Sequence, residues 1–98
     1  MSNIMIVEDE GLIALEIQEI LENLGYSVPF VLTRGEEAVD KAIKHKPELI
    51  LMDIYLQGEM DGVEAAMRIH NKINIPIIYI TAYSEKQTVE RAKITTPY

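Results

Sequence analysis

The sequence predicts one α/β domain built on a doubly wound parallel sheet. Short apolar runs alternate with helical patterns along the whole chain, and two of these runs, Asn3–Val7 and Leu49–Met52, have no polar face. Continuous apolar runs are typical of strands buried on both faces, and strands alternating with helices imply parallel crossovers. With 98 residues, the chain is long enough for one domain (1–98) and too short for two.

The first half of the chain predicts a strand, a helix and a second strand. The strand Asn3–Val7 ends at Glu8, and a helical period follows over Glu10–Leu24, closed by Gly25. The apolar stripe of this helix consists of Ile13, Ile17, Ile20, Leu21 and Leu24. Ser27–Leu32 is predicted as the second strand. Pro29 lacks a backbone donor, which favours the sheet edge for that strand.

The second half repeats the pattern. Thr33 to Glu36 has capping-box spacing and predicts a helix that ends before Pro47. Leu49–Met52 is the third strand and stops at Asp53. After an acidic, glycine-containing loop, a third helix is expected with Val63, Ala66, Met67 and His70 on one face. Pro76–Thr81 is predicted as the fourth strand, and a fourth helix is expected over Ser84–Ile94.

Composition excludes several classes of function. The formal net charge is −7, which argues against nucleic-acid or anionic-membrane binding, since both need a basic face. The small basic cluster Lys41, Lys44, His45 and Lys46 is interpreted as a solvated helix face, with a binding patch as the lesser alternative. There is no cysteine, so disulfides and thiol catalysis are excluded. Without a signal-peptide pattern or a membrane-spanning run, we expect a soluble, cytoplasmic protein.

Polar residues follow three of the predicted strands. Glu8 and Asp9 follow the first, Asp53 the third, and Thr81 ends the fourth. In a doubly wound sheet, sites lie beyond the carboxyl ends of the strands, so the topology brings these residues together. Clustered carboxylates repel one another, and a hard cation such as Mg²⁺, with its preference for oxygen ligands, relieves that cost. The sequence therefore predicts a magnesium site.

A carboxylate beside Mg²⁺ can act as a nucleophile toward phosphorus and form an aspartyl phosphate. The Thr81 hydroxyl and the backbone N–H of Ala82 could donate hydrogen bonds to the incoming phosphoryl oxygens. Each feature alone is typical of solvated surface or helix caps. Their occurrence at three strand ends of one pattern makes the combination specific.

Four segments of the chain resemble those of response-regulator receiver domains, which have a flavodoxin-like fold with strand order 2-1-3-4-5. They are Ile6-Val7-Glu8-Asp9-Glu10, Leu51-Met52-Asp53-Ile54, Met60-Asp61-Gly62 and Ile80-Thr81-Ala82. The resemblance implies that Asp53 is the phosphoacceptor and that a sensor histidine kinase is the partner. It also implies possible coupling to a downstream output domain or protein.

The resemblance further assigns roles to the neighbouring residues. Asp9 would be a direct Mg²⁺ ligand, Glu8 would assist through water, and Tyr55 would ligate through its backbone carbonyl. Thr81 would be the switch hydroxyl. Asp61 and Gly62 would be structural, capping the third helix after a tight turn.

The chain departs from the family pattern at its C-terminus. Receiver domains continue with a fifth strand, a Lys-Pro pair and a fifth helix, and this sequence ends before them. With strand order 2-1-3-4, the fourth strand would be an exposed apolar edge, which predicts dimerisation or aggregation through that strand.

Three functions compete at this stage. The first is a phosphoaccepting signalling module, and the second is an interaction module of the same fold that works without phosphate. The third is an enzyme or cofactor binder on a similar fold. A flavodoxin needs a hydroxyl- and glycine-rich phosphate loop, where this chain has Glu8-Asp9-Glu10. A haloacid-dehalogenase-type phosphatase has its nucleophilic Asp after the first strand and a second Asp two residues later. Here Asp9 would be the nucleophile, and the residue two positions later is Gly11.

Overall fold

The computed structural model describes residues 2–80 of the chain. In chain order the elements are β1 (Asn3–Val7), α1 (Gly11–Asn23), β2 (Ser27–Leu32), α2 (Gly35–His45), β3 (Leu49–Asp53), α3 (Gly62–His70) and β4 (Ile77–Ile80). The four strands are parallel in the order β2-β1-β3-β4, as predicted. The predicted fourth helix, Ser84–Ile94, lies outside the described residues.

The two faces of the sheet are covered by different helices. One face carries Met5, Val7, Ile50, Met52 and Ile77, which form a core with small and aliphatic residues of α2 and α3. The opposite face carries Ile6 and Val28, which pack against Ala14 of α1 and the partly buried Ile17 and Leu21. This is the two-sided covering that alternating strands and helices predict.

Strand β2 lies at one edge of the sheet, as its proline predicts. Asn3 pairs with Ser27 and Met5 pairs with Phe30, so β2 contains one extra residue between the two pairs. Pro29 is exposed and lies in this irregular segment of an edge strand, where a residue without a backbone N–H is tolerated.

The predicted stripe of α1 is only partly correct. Ala14 is buried, and Ile13, Ile17 and Leu21 are partly buried, but Ile20 and Leu24 are exposed. Ile20 lies about a third of a turn from Ala14 around the helix axis, which places it on the flank of the contact. Leu24 is the C-cap residue, beyond the last turn. Gly25 follows with a φ of +98°, the left-handed conformation expected for a helix-closing glycine.

The predicted capping box of α2 is wrong. The N-cap is Arg34 rather than Thr33, and no side-chain hydrogen bond caps the helix. The Glu36 carboxylate, which a capping box would turn back toward the N-cap backbone, instead pairs with the Arg34 guanidinium at 3.0 Å. The helix ends at Lys46, which has a left-handed φ of 48°, immediately before Pro47.

Helix α3 buries a face that differs from the predicted one. Val63 and Ala66 are buried as expected, and His70 is partly buried. Met67, however, is 51% exposed, because packing against the sheet and α2 turns Ala65 and Ile69 inward instead. Within residues 2–80, no helix is long and apolar enough to cross a membrane.

Candidate functional site

The carboxyl ends of β1 and β3 bring three acidic side chains together. Val7 pairs with Met52, so the residues that follow them, Glu8 and Asp53, lie at the same edge of the sheet. Glu8 and Asp53 are only 3% and 5% exposed, and Asp9 is partly buried. Each of the three offers one carboxylate oxygen, and these oxygens lie within 4.8 Å of one another. The predicted acidic cluster is therefore present as a compact group.

Backbone N–H groups hold each carboxylate in place. Glu8 Oε2 accepts a hydrogen bond from the N–H of Glu10 at 3.0 Å, and Asp53 Oδ1 accepts one from Tyr55 at 3.0 Å. Asp9 Oδ2 accepts a longer bond, 3.3 Å, from the N–H of Gln57. Two of these bonds reach a residue two positions ahead and fix the side chain against its own loop. The third joins the loop after β1 to the loop after β3.

The electrostatics of the cluster favour binding of a cation. The pKa of Glu8 is raised from its ordinary value of 4.5 to about 8, and burial is the largest cause. The backbone hydrogen bond from Glu10 opposes this rise, and the neighbouring Asp53 carboxylate adds to it. Burial also raises the pKa of Asp53, and the charge of Asp9 adds to this effect. Glu8 and Asp53 therefore hold protons more strongly than free carboxylates, and a divalent cation can replace those protons.

The start of α3 is fitted closely around Asp53. Asp61 is the N-cap of α3, and its Oδ1 accepts a hydrogen bond from the N–H of Glu64 at 2.9 Å. The N–H of Gly62 donates to the carbonyl of Ile54 at 3.2 Å. A Cβ at Gly62 would overlap the backbone carbonyl of Asp53, so only glycine allows this approach. The predicted structural role of Asp61 and Gly62 is thus visible in the packing.

The structure places the remaining predicted residues as follows. Tyr55 lies two residues after Asp53, the last residue of β3, and its ring packs in a small cluster with Ile54 and Val63. The role of its backbone carbonyl in metal binding stays a prediction. Thr81 and Ala82 lie outside the described residues. Ile80, the last residue of β4, pairs with Asp53, so this strand also ends beside the acidic cluster.

Sequence reasoning missed a cavity of about 400 Å³ on the outer side of Asp9. It is lined by Asp9, Glu10, Thr33, Arg34, Gln57 and Gly58. Three separate loops supply these residues. No local pattern marks such a cavity, because it depends on how the loops after β1, β2 and β3 approach each other.

The fold and the acidic cluster agree with comparisons against known proteins. The family model described as the response regulator receiver domain matches residues 4–95. The chain belongs to the response-regulator receiver family. Among solved structures, this receiver domain is similar to the signal receiver domain of a modulated diguanylate cyclase from Desulfovibrio desulfuricans, with 43% sequence identity and a TM-score of 0.91. That match covers 99% of this chain and 77% of the other.

Two further relatives show the range of proteins that contain similar receiver domains. The transcriptional regulatory protein PdtaR of Mycobacterium tuberculosis is 40% identical over 90 residues, which are 92% of this chain and 43% of PdtaR. The anti-anti-sigma factor PhyR of Bartonella quintana, solved in complex with the anti-sigma factor NepR, is 40% identical, with a TM-score of 0.76 and coverage of 88% of this chain and 36% of PhyR. This chain spans less than half the length of either protein.

Proposed function

We propose that this receiver domain accepts a phosphoryl group on Asp53 from a sensor histidine kinase in the cytoplasm. One observation carries the proposal: the carboxylate oxygens of Glu8, Asp9 and Asp53 converge within 4.8 Å at adjacent ends of parallel strands. Among the three, Asp53 ends strand β3, which pairs with β1 on one side and β4 on the other. Because Ile80 of β4 pairs with Asp53, Asp53 is the member of the cluster that lies between the ends of β1 and β4.

The donor set fits Mg²⁺, because hard carboxylate oxygens at a partly hydrated rim are the ligands that this ion prefers. Asp9 and Asp53 would bind it directly, Glu8 through water and Tyr55 through its backbone carbonyl. When bound, Mg²⁺ would supply positive charge to the oxygens of the transferred phosphoryl group.

The reaction needs little from the protein beyond position and charge. A carboxylate oxygen of Asp53 attacks phosphorus, the bond from phosphorus to the donor breaks, and the donor leaves with the electron pair. The backbone N–H of Tyr55 donates a hydrogen bond to Asp53 Oδ1 at 3.0 Å and so fixes the orientation of the carboxylate. Thr81, through its hydroxyl, and Ala82, through its backbone N–H, would stabilise the new phosphoryl oxygens. The chain would carry out no chemistry on any other substrate.

The test is incubation with acetyl phosphate and Mg²⁺, followed by intact-mass measurement. We expect the parent chain to gain a single phosphoryl group. Asp53→Asn should abolish the gain, and Asp9→Asn should lower both the gain and Mg²⁺ affinity measured by NMR titration. Asp40→Asn, at an exposed carboxylate on α2, is the matched control and should behave like the parent. Labelling that survives Asp53→Asn would place the acceptor elsewhere.

The second candidate function is a protein-interaction module that works without phosphate. The complex of PhyR with NepR supports this candidate, since a protein similar to this chain is bound there to a protein partner. A parent chain that binds Mg²⁺ but takes no phosphoryl group would support this function. Either function would pass its output to a downstream domain or protein.

We also propose that copies of the chain associate through β4, where Ile78 is 43% exposed. Light scattering over a concentration series tests this association.

A further inference from the structure

The cavity beside Asp9 contains a positively charged side chain, which the acidic cluster of Glu8, Asp9 and Asp53 lacks. Of the six residues that line it, Arg34 is the positively charged one, and Asp9 and Glu10 form the acidic wall. Thr33 adds a hydroxyl, and Gln57 adds an amide side chain. A cavity with an arginine fork, a hydroxyl and an amide offers several N–H and O–H donors, which suits a ligand with anionic oxygens.

Arg34 lines this cavity and is held in place by one ion pair, which does not use all of its N–H donors. Its Nη2 binds Glu36 Oε2 at 3.0 Å, which leaves most of its five N–H donors for other partners. The guanidinium lies over Gly58, where a Cβ would stand 3.6 Å from Nη2. Glu36 thus fixes the direction of the side chain, and the glycine leaves the space in which it lies. The side chain is 57% exposed and can reach a molecule that enters from solvent.

The cavity and the acidic cluster share one residue. Asp9 lines the cavity and also belongs to the group of oxygens that includes Asp53. Gln57, on the cavity wall, donates its backbone N–H to Asp9 at 3.3 Å. A small molecule in the cavity would therefore lie next to Asp9, the residue that the cavity and the acidic cluster share.

We propose that this cavity is the subsite for an anionic phosphoryl donor and that Arg34 supplies the positive charge that admits it. The inference rests on the proposed function, because the donor is consumed at Asp53. The chemical class is a small acyl phosphate, whose phosphoryl oxygens or carbonyl would accept hydrogen bonds from the Arg34 fork.

Because Arg34 is surrounded by carboxylates, its removal should have opposite effects on the binding of an anion and of a divalent cation, and this difference tests the proposed role. Glu36, Glu37 and Glu59 all act on the guanidinium and raise its pKa, and Asp9 and Glu10 line the same cavity. Removing the one cation from a region so rich in carboxylates should repel an anion and attract a divalent cation. Loss of a merely structural link between loops would instead weaken both, because Asp9 would lose its fixed position.

The experiment compares Arg34→Gln with Arg68→Gln. Arg68 forms the matched pair on α3: it binds Glu64 at 3.0 Å, and its side chain is 58% exposed, against 57% for Arg34. The initial rate of phosphorylation by acetyl phosphate and the Mg²⁺ dissociation constant are measured for both variants at low ionic strength. Phosphoramidate, which carries about one negative charge fewer, serves as the second donor.

We expect Arg34→Gln to lower the acetyl phosphate rate by about fivefold, to lower the phosphoramidate rate less, and to leave Mg²⁺ affinity equal or higher. Arg34→Lys should keep at least half of the parent rate, and added salt should shrink the difference. Equal rates for the two Gln variants would overturn the subsite. So would a joint fall in rate and Mg²⁺ affinity for Arg34→Gln. A parent chain that takes no label from either donor would instead refute the proposed function.

Discussion

Strand β3 contains two environments separated by a single peptide bond. Ile50 and Met52 are fully buried, and their apolar side chains gain free energy from leaving water. Asp53 comes next and is almost equally buried, but its carboxylate loses hydration and its pKa is raised by that burial. The comparison teaches that burial changes the free energy of folding in opposite directions along one strand. Burial of the apolar middle stabilises the fold, and burial of the carboxylate at the end destabilises it.

The same change of sign occurs on β1. Met5, Ile6 and Val7 are fully buried and apolar, and Glu8 follows them at 3% exposed. Because β1 and β3 pair with each other, their costly ends are adjacent. A cation bound between them would remove most of the cost, so stability and metal binding should be linked.

The largest expected effect tests the stabilising middle of the strand. Ile50→Ala should lower the free energy of unfolding by about 3 to 4 kcal/mol, through lost transfer free energy and the cavity left behind. Urea unfolding followed by circular dichroism measures this change. Ile78→Ala is the control on the neighbouring strand and should cost about 1 kcal/mol, since that side chain is already 43% exposed. Equal losses would mean that β3 is not the centre of the core.

A smaller effect tests how closely the carboxyl end is packed. Gly62→Ala should cost about 2 kcal/mol, because the new methyl group would displace the backbone of Asp53. The same change should weaken Mg²⁺ binding, since Asp53 moves with its backbone. Gly11→Ala is the control, because a Cβ at Gly11 meets no atom within 4 Å. If Gly62→Ala binds Mg²⁺ like the parent, the close approach does not position the acid.

The third prediction tests the sign of burial at the end of β1. In the unfolded chain Glu8 loses its proton near pH 4.5, and in the folded, metal-free chain near pH 8. Between these values the folded state binds more protons, so stability should fall as pH rises from about 4.5 to 8. Glu8→Gln should flatten this dependence and stabilise the metal-free chain at pH 8 by roughly 1 to 3 kcal/mol.

Unfolding in EDTA at pH 4 and pH 8 measures the effect of Glu8→Gln. The two chains should have similar stability at pH 4, where Glu8 is protonated in the folded parent. Saturating Mg²⁺ should reverse the order at pH 8, because only the parent keeps its full set of carboxylates. A parent whose stability rises between pH 4.5 and 8 without metal would show that burial does not penalise Glu8.

The sequence was sufficient for the parts of the fold that repeat a pattern. Apolar runs located β1 and β2 to the residue, and Pro29 identified an edge strand. The acidic cluster could also be predicted, because parallel strands place their carboxyl ends at one edge. Thr81 and Ala82, by contrast, remain untested, since they lie outside residues 2–80.

What the sequence could not predict depends on competition between contacts. Thr33 and Glu36 have the spacing of a capping box, but the pair Arg34 and Glu36 forms instead, and a charge-assisted hydrogen bond outweighs a neutral cap. Met67 shares a helical period with Val63, but α2 turns the helix so that Ile69 is buried in its place. The first error arose from a competing local pair, and the second arose where a local pattern met a tertiary contact.

The smallest expected effect shows that an acid at this end of the sheet need not be costly. Asp61 lies near Asp53 in the fold, but its Oδ1 accepts the N–H of Glu64 at the start of α3. That bond satisfies a helix N–H that would otherwise lack a partner, and the helix dipole favours a negative charge there. Asp61→Ala should therefore destabilise the chain by about 1 kcal/mol, whereas Glu8→Gln stabilises it.

The control for Asp61→Ala is Thr33→Ala, at the position where the sequence predicts a cap for α2. No side chain caps that helix, so the expected change in unfolding free energy is close to zero. Thermal unfolding of both variants without metal at pH 8 measures the difference. If Thr33→Ala costs as much as Asp61→Ala, the cap of α2 forms in solution and Arg34 is displaced. A stabilising Asp61→Ala would mean instead that every carboxylate at this end repels its neighbours, and that the helix N–H groups do not compensate.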